Sequence, residues 1–234
     1  MRTMVVRCLL GAALSYPLLV WASDPIYTPA RLLEDERSIE ALLQIPSGLP
    51  NGLYTVQCKT WIMKSGRPWH FACRSDQKLL HDLVRSVEFA GGKAWFVPAT
   101  RNGGAVEARM LVTVRVYVTS EGPLTLAVPN SGTEVDKYGL LYTAPQRLTR
   151  IDWPAIPHDA IMKDSTLLWA VLLVDERGKV MEFGLKNASH TDTGFAIQFR
   201  AQLGTLRFIP GSFEGKPASM MYVEPFYSEG DDYY

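Results

Sequence analysis

Two cysteines are the residues of this chain best placed to form a covalent bond with each other. Cys58 and Cys73 flank a turn centred on Ser65 and Gly66. A symmetric hairpin about that turn puts the two cysteines directly opposite each other on adjacent strands, at a separation that allows a disulfide. Because the spacing is not that of a C-x-x-C redox motif, the pattern favours a structural bridge over a redox centre.

Two short motifs invite a catalytic interpretation, and neither supports one. Residues 75–78 match the S-x-x-K pattern, in which a lysine assists a nucleophilic serine, but the companion S-D-N and K-T-G elements are absent from the sequence. A serine ahead of a helical stretch is also the usual helix N-cap. Asp175 and Glu176 are adjacent in a turn, where two carboxylates do not converge on a substrate. We therefore predict that the protein has no catalytic residues and is not an enzyme.

The histidines predict neither a metal site nor an acid–base centre. The four are scattered along the chain without metal-ligand spacing: His70, His81, His158 and His190. His70 is expected to lie opposite Trp61 in the hairpin and to stack there. The sequence also has no glycine-rich phosphate loop and no nucleophile elbow, so we predict no metal and no cofactor.

Charge and length narrow the class of protein. The 234 residues include 24 basic and 24 acidic side chains, a formal net charge of zero. This balance leaves no electrostatic footprint for nucleic acid or for an anionic membrane surface. The length suffices for one large core or two small ones.

Residues 1–22 have the pattern of a signal peptide. Arg2 and Arg7 precede an apolar run, and Val20 and Ala22 stand at the −3 and −1 positions of a cleavage site. We therefore expect a periplasmic or secreted protein, with Cys8 removed and the two remaining cysteines in an oxidising compartment. The alternative is a retained membrane anchor.

Six residues recur 112 positions later, which indicates an internal duplication. Four of the six are Gly or Pro, where backbone geometry is constrained, and two are Phe in apolar strand positions. The first set is Gly66, Phe71, Gly92, Phe96, Pro98 and Gly103, and the second is Gly178, Phe183, Gly204, Phe208, Pro210 and Gly215.

The elements predicted around these residues follow one order in both copies. Alternation and helical spacing predict a hairpin, a helix, a short strand and a long last strand. In the first copy these span residues 54–63 and 68–74, a helix from the N-cap Ser75 to Gly91 and Gly92, and residues 94–99 and 107–118. In the second they span residues 167–174, 180–185, roughly 192–203, 206–211 and 219–227.

The predicted fold class is α+β, with two small modules that each pack an antiparallel sheet on one helix. The predicted organisation is a leader at 23–52, modules at 53–118 and 166–228, a proline-rich connector at 119–165 and an acidic tail at 229–234. Five prolines in the connector argue against a central strand or a long helix there.

Three segments carry a family resemblance. Residues 96–116, FVPATRNGGAVEARMLVTVRV, resemble the end of the TonB C-terminal domain family. In the second copy, VDERGKVMEF at 174–183 and LRFIPGSFEGKP at 206–217 look like the opening hairpin and the Arg-Phe-x-Pro element of that family. The chain is thus identified as two degenerate tandem copies of such a domain.

The resemblance implies that an exposed last strand accepts an extended peptide through main-chain hydrogen bonds. The implied partner is a protein or peptide of the cell envelope, such as an outer-membrane receptor. The implied peptide-binding edge comprises Met110, Val112, Val114, Val116 and Val118. The equivalent strand at 220–226 is less suitable because Pro225 lacks an N–H donor.

Three other functions remain open from the sequence. An energy transducer of this family has a proline-rich arm and one terminal domain, whereas this sequence shows no such arm and two copies. The modules are alternatively structural and stack edge to edge, or they form an exported enzyme with a site between them. A free edge at 110–118 favours binding, and a paired edge favours scaffolding.

Overall fold

A computed structural model of the chain describes residues 25–75, 80–151, 161–162, 167–189 and 194–227. The predicted signal peptide at 1–22 and the acidic tail at 229–234 lie outside these residues. Within them, no helix combines the length and the apolar character needed to cross a bilayer.

The described residues form a mixed α+β fold in which the strand pairings are antiparallel. The helices are α1 (Ile39–Leu42), α2 (His81–Lys93), α3 (Val135–Tyr138) and α4 (Gly194–Thr205). The first ten strands are β1 (Tyr27–Thr28), β2 (Arg31–Leu32), β3 (Gly52–Ile62), β4 (Pro68–Arg74), β5 (Phe96–Val97), β6 (Ala99–Arg101), β7 (Gly104–Val106), β8 (Ala108–Thr119), β9 (Gly122–Val128) and β10 (Gln146–Arg147). The other six are β11 (Leu167–Val174), β12 (Val180–Lys186), β13 (Phe208–Ile209), β14 (Gly211–Phe213), β15 (Lys216–Ala218) and β16 (Met220–Tyr227).

The large sheet has the strand order β13-β10-β8-β3-β4, with β9 also paired to β8. One face of β8 is apolar, as the alternation predicts, and it packs with Leu83, Val87 and Ala90 of α2 in the main core. The other face of β8 carries Arg109, Leu111 and Thr113, and of these Leu111 joins the core of a second sheet. The large sheet therefore has neighbours on both of its faces.

Helix α2 differs from the prediction at both of its ends. Residue Leu80 occupies the N-cap position, without a side-chain capping bond, and the hydroxyl of Ser75 instead donates to the carbonyl of Thr55 at 3.0 Å. The helix continues through Gly91 to Lys93. A Cβ at Gly91 would collide with the ring of Phe71, so this glycine is needed for packing and does not end the helix.

The hairpin of β3 and β4 contains a β-bulge that the predicted symmetric register did not include. Cys58 lies opposite Cys73 as predicted, but the register then shifts and Trp61 lies opposite Trp69. The prediction that His70 would face Trp61 is therefore wrong. His70 has φ +52°, and the extra residue at this bulge moves the next pair along by one position.

The small sheet has the strand order β12-β11-β16. One face packs on α4, where Ala196, Phe199 and Leu203 of the predicted apolar stripe are buried. The side chain of the fourth predicted residue, Phe195, lies outside the described part of the chain. Phe199 makes an edge-to-face contact with Phe226 of β16, with ring centroids 4.9 Å apart.

The segment predicted as a connector, residues 119–165, contributes strands to the large sheet. β9 pairs with β8 along Gly122–Val128. β10 pairs on one side with β8 and on the other with β13, which comes from the second half of the chain. One continuous sheet therefore includes residues from both halves.

The hairpin turns of the two halves have the same local hydrogen bonds at the 112-residue spacing. The carbonyl of Gly66 accepts the N–H of Phe96 at 2.9 Å, and the carbonyl of Gly178 accepts the N–H of Phe208 at 3.0 Å. Both glycines have positive φ, +82° and +77°. At both, a Cβ would collide with the carbonyl oxygen of the same phenylalanine, so backbone geometry and contact both require glycine here.

Replacing Gly178 with alanine should therefore destabilise the protein by about 1–3 kcal/mol, the usual range for imposed backbone strain. Gly215→Ala is the matched control, because Gly215 has a similar φ of +75° but a Cβ added there would meet nothing within 4 Å. Urea unfolding should show the larger loss for Gly178→Ala. Equal losses would mean that the Phe208 carbonyl contact has no energetic effect.

Candidate functional site

The strand implied as the peptide-binding edge is an interior strand. β8 pairs with β3 from Ala108 to Val118, and its second edge pairs with β9 from Thr113 onward and with β10 at Arg109. The side chains of Met110, Val112, Val114 and Val116 are buried in the main core, and Val118 packs against it. The expectation of an exposed edge at 110–118 is therefore wrong, because strands from the predicted connector cover it.

A disulfide joins Cys58 and Cys73, which confirms the predicted bridge. The Cys58 side chain is buried in the main core, and Cys73 packs against that core. The N–H of Cys73 donates to Oε1 of Glu88 on α2 at 2.9 Å. The bridge therefore ties the two strands of the hairpin at the point where α2 also holds β4.

A cleft of about 670 Å³ is lined by residues of both sheets. Its floor is the face of the large sheet that points away from α2, and includes Gln57, Lys59 and Ala72. Its roof is the face of the small sheet that points away from α4. The residues of the roof are Trp169, Val171, Met221, Val223 and Pro225.

Leu111 and Val112 also border the cleft, at the point on β8 between its pairings with β9 and β10. The volume lies within the roughly 300–1,000 Å³ typical of small-molecule sites. The cleft has an apolar roof.

Among the described residues that line this inter-sheet cleft, three charged side chains are basic and one is acidic. Lys59 and Arg74 lie on the floor, Lys186 at the rim, and Glu88 is the one carboxylate among the described lining residues. Lys59 is almost fully buried. Glu88 already accepts the N–H of Cys73.

The polar groups of the cleft also bind one another. Arg74 donates to Oε1 of Gln57 at 2.8 Å, and Nε2 of Gln57 donates to the carbonyl of Ser131 at 3.2 Å. The guanidinium carbon of Arg74 lies 4.0 Å from the centroid of the Trp169 ring, which joins the floor to the roof by a cation–π contact. These contacts hold the walls of the cleft in place.

A buried charge cluster joins the two sheets beside the cleft. Oε1 of Glu224 lies 2.8 Å from Nε of Arg109, an ion pair whose N–H is not aligned for a hydrogen bond. The same oxygen accepts a bond from Nη2 of Arg147 at 3.1 Å, and Oε2 accepts the hydroxyl of Tyr222 at 3.0 Å. Arg109 and Arg147 belong to the large sheet, and Glu224 belongs to the small one.

The surroundings of Glu224 set its protonation state. Complete burial would raise the pKa of this carboxyl, but the positive charges of Arg109, Arg147 and Lys59 together hold its pKa below the ordinary value. Burial and the adjacent carboxylate raise the pKa of the Tyr222 phenol, so it stays protonated and donates to Glu224. Glu224 is therefore ionised at neutral pH.

The stability that Glu224 contributes should decrease as the pH is lowered. Because its folded pKa lies below its ordinary value of 4.5, its contribution is present above about pH 4.5 and is lost as the pH falls through the folded pKa. Urea unfolding between pH 7 and pH 3 should show a steeper loss for the wild type than for Glu224→Gln. Parallel curves would mean that this carboxyl has the same pKa in both states.

A second surface of interest is the outer edge of the small sheet. Among the described strands, β12 pairs with β11 alone. Its side chains Met181 and Phe183 are 63% and 41% exposed, and Ile197 of α4 is 60% exposed. This edge has the apolar, one-side-paired character that the sequence led us to expect at 110–118.

The described residues offer no evident catalytic or metal centre. No group of three or more His, Cys, Asp or Glu side chains within them is placed to hold a metal ion. Among the described residues, the lining of the cleft contains no histidine, and its two cysteines are joined in the disulfide.

Sequence reasoning did not identify the residues that form the cleft. Gln57 and Lys59 alternate with buried residues of β3, a pattern that an ordinary solvent-facing side of a strand also shows. Glu224 gave a clearer signal, since it is the one carboxylate in the apolar run Met220–Tyr227. A lone charge in such a strand is expected to have a buried partner.

The chain matches no family model, no curated protein and no solved structure with which it was compared. Its function must therefore be argued from the geometry of the site.

Proposed function

We propose that the protein is an exported, non-enzymatic binding protein that takes up its ligand in the inter-sheet cleft. The observation that carries this proposal is the cleft itself, whose volume of about 670 Å³ lies between an apolar roof and a floor that carries polar and charged side chains. Small-molecule sites combine mainly apolar walls with a few placed polar groups. This cleft has both.

The contacts of the cleft support binding more than catalysis. The hydroxyls of Ser131 and Thr133 form a hydrogen bond with each other at 2.6 Å, and Arg74 and Gln57 form another. A nucleophile requires an adjacent general base. The two hydroxyls bind each other, so neither provides a general base for the other. The hydrogen bonds among the lining side chains hold the walls of the cleft in place, as expected of a site that binds a ligand without reacting with it.

The domain organisation and the location of the protein belong to the same proposal. We take residues 53–118 and 166–228 as two degenerate TonB-like modules, supported by the equivalent bonds of Gly66 and Gly178. The disulfide supports export, because such bridges persist in oxidising compartments. The sheet shared through β10 also supports a scaffolding role for residues 119–165, which would hold the two modules at a fixed separation.

Binding of the neutral, solvatochromic dye Nile red tests the cleft as a site. The purified protein should bind the dye with a rise in fluorescence, and Val171→Trp, which places a large ring in the roof, should abolish that rise. Leu124→Trp is the matched control, since Leu124 is 67% exposed on β9 and does not line the cleft. If the wild type does not bind the dye, or if both variants bind it equally, the proposed function is wrong.

A second candidate function is capture of a peptide by strand addition at β12. The observation that favours it is the edge itself, paired on one side within the described residues and bearing the exposed Met181 and Phe183. An extended peptide adds to such an edge through main-chain hydrogen bonds and places alternate side chains on the apolar patch. A change in the methyl NMR signal of Met181 would therefore indicate binding at this edge, and a change in that of Met221 would indicate binding in the cleft.

A further inference from the structure

We infer that β12 pairs with β12 of a second copy of this chain, antiparallel and about a two-fold axis at Gly184, so that two small sheets form one continuous sheet. The inference goes beyond the proposed function, which concerns the cleft. It rests on the contacts at the other sheet edges and on the order of side chains along β12.

Three of the long edge strands in the described sheets are capped by carboxylates. Four edge strands have seven residues or more: β4, β9, β12 and β16. On three of them a glutamate outside the sheet accepts a main-chain N–H: Glu88 from Cys73 of β4 at 2.9 Å, Glu40 from Ala127 of β9 at 2.9 Å, and Glu134 from Met221 of β16 at 2.8 Å. Pro123 of β9 and Pro225 of β16 also lack an N–H. These features oppose the addition of a further strand at the three edges.

Strand β12 has no such cap among the described residues. Within them, the N–H groups from Val180 to Lys186 donate to no side chain, and β11 is the one partner strand. A strand that is paired on one side leaves the N–H and C=O groups of alternate residues available to another strand. The ladder with β11 is regular over residues 182–186 and shifts register beyond them. Residues 182–186 are therefore the part of this edge that can extend the sheet.

The side chains of residues 182–186 are complementary to the same strand in the reverse direction. In an antiparallel pairing centred on Gly184, Glu182 lies opposite Lys186 of the second copy, and Phe183 lies opposite Leu185. The two-fold axis repeats each pair, which gives two pairs of opposite charge and two apolar pairs. Opposite charges and apolar side chains that face each other across two strands both stabilise the pairing.

The charged pairs and the apolar pairs lie on opposite faces of the sheet, because successive side chains of a strand alternate. Leu185 packs against the core that contains Phe199 of α4, and Phe183 lies on the same face and is 41% exposed. Glu182 and Lys186 are exposed on the other face. The second copy would therefore cover apolar surface on one face and join opposite charges on the other.

The second copy would also contribute a side chain to the rim of the inter-sheet cleft. Lys186 lines the cleft, so Glu182 of the second copy would lie beside it. A peptide bound at β12, as in the second candidate function, would have to displace this copy.

Analytical ultracentrifugation of charge-reversal variants tests this inference. The wild type should show a concentration-dependent monomer–dimer equilibrium, measured into the high micromolar range because one pair of strand edges forms a small interface. Glu182→Lys and Lys186→Glu each convert both opposite-charge pairs into like-charge pairs and should weaken dimerisation about tenfold or more. Lys216→Glu, at an exposed position on β15, is the matched control and should not weaken it.

An equal mixture of the two charge-reversal variants tests the register. Each lysine of the Glu182→Lys variant would then face a glutamate of the Lys186→Glu variant, so the mixture should form a heterodimer about as tight as the wild-type dimer. Both substitutions are at exposed positions, and circular dichroism should show that each variant retains the wild-type fold.

Three results would overturn the inference: a wild type that stays monomeric, single variants that dimerise as tightly as the wild type, or a mixture that does not restore dimerisation. Nile red binding by the wild type tests the proposed function independently of these results.

Discussion

Replacing Glu224 with leucine is expected to lower the free energy of unfolding by about 3–5 kcal/mol, the usual cost of removing one partner from a buried ion pair. The carboxylate is almost fully buried and lies between Arg109 and Arg147. Its removal deprives two buried guanidinium groups of the large sheet of the carboxylate between them. Equilibrium unfolding in urea, followed by circular dichroism, measures the loss.

The triple variant Arg109→Leu, Arg147→Leu, Glu224→Leu is the control for that experiment. Replacing a whole buried ionic cluster with apolar residues is often neutral, so the triple variant should be more stable than Glu224→Leu alone. A loss below about 1 kcal/mol for Glu224→Leu would correspond to an exposed ion pair and would contradict the buried cluster.

Removal of the disulfide by Cys58→Ala and Cys73→Ala is expected to destabilise the protein by about 3 kcal/mol, the loop-closure estimate for a separation of 15 residues. The bridge stabilises the protein mainly because it reduces the conformational entropy of the unfolded chain. In the folded state it also lies against the main core, so a smaller part of the loss comes from lost packing.

A reducing agent separates these contributions. Dithiothreitol should lower the urea midpoint of the wild type towards that of the double variant and should leave the double variant unchanged. If the wild type shows two free thiols and no response to dithiothreitol, the bridge is absent in the protein.

The local part of the fold was predictable from the sequence. Alternation located β3, β4 and β8, and the turn at Gly66 placed Cys58 opposite Cys73. The error at His70 shows the limit of this reasoning, because one residue at φ +52° shifts all later pairs of the hairpin. Alternation alone does not reveal such a bulge.

The environment of β8 was not predictable, because its second edge is covered by distant segments. β9 contains Pro123, which is tolerated at a strand that pairs on one side, and β10 has only two residues. The proline in β9 and the short length of β10 are the reasons why the sequence pattern did not predict these two strands. The resemblance to a domain with an exposed last strand then placed the binding edge on a strand that is interior here.

The cleft depends on contacts between residues far apart in sequence. Lys59 and Trp169 belong to different sheets, and Arg74 connects the two. Each is an ordinary strand residue in its own segment, so only the packing of the sheets brings them together. The sequence analysis did not predict the partners of Glu224, although its charge stands alone in an apolar strand and could have indicated a buried counter-charge.

The most direct test of the account is methyl NMR of protein labelled with [¹³C-methyl]methionine and titrated with Nile red. Met221 lines the cleft, Met181 lies on the exposed edge of β12, and Met221→Leu assigns the resonance. We predict that the aromatic dye shifts the Met221 signal and leaves that of Met181 in place. A shift of Met181 with Met221 unchanged, or no shift of either, would contradict binding in the inter-sheet cleft.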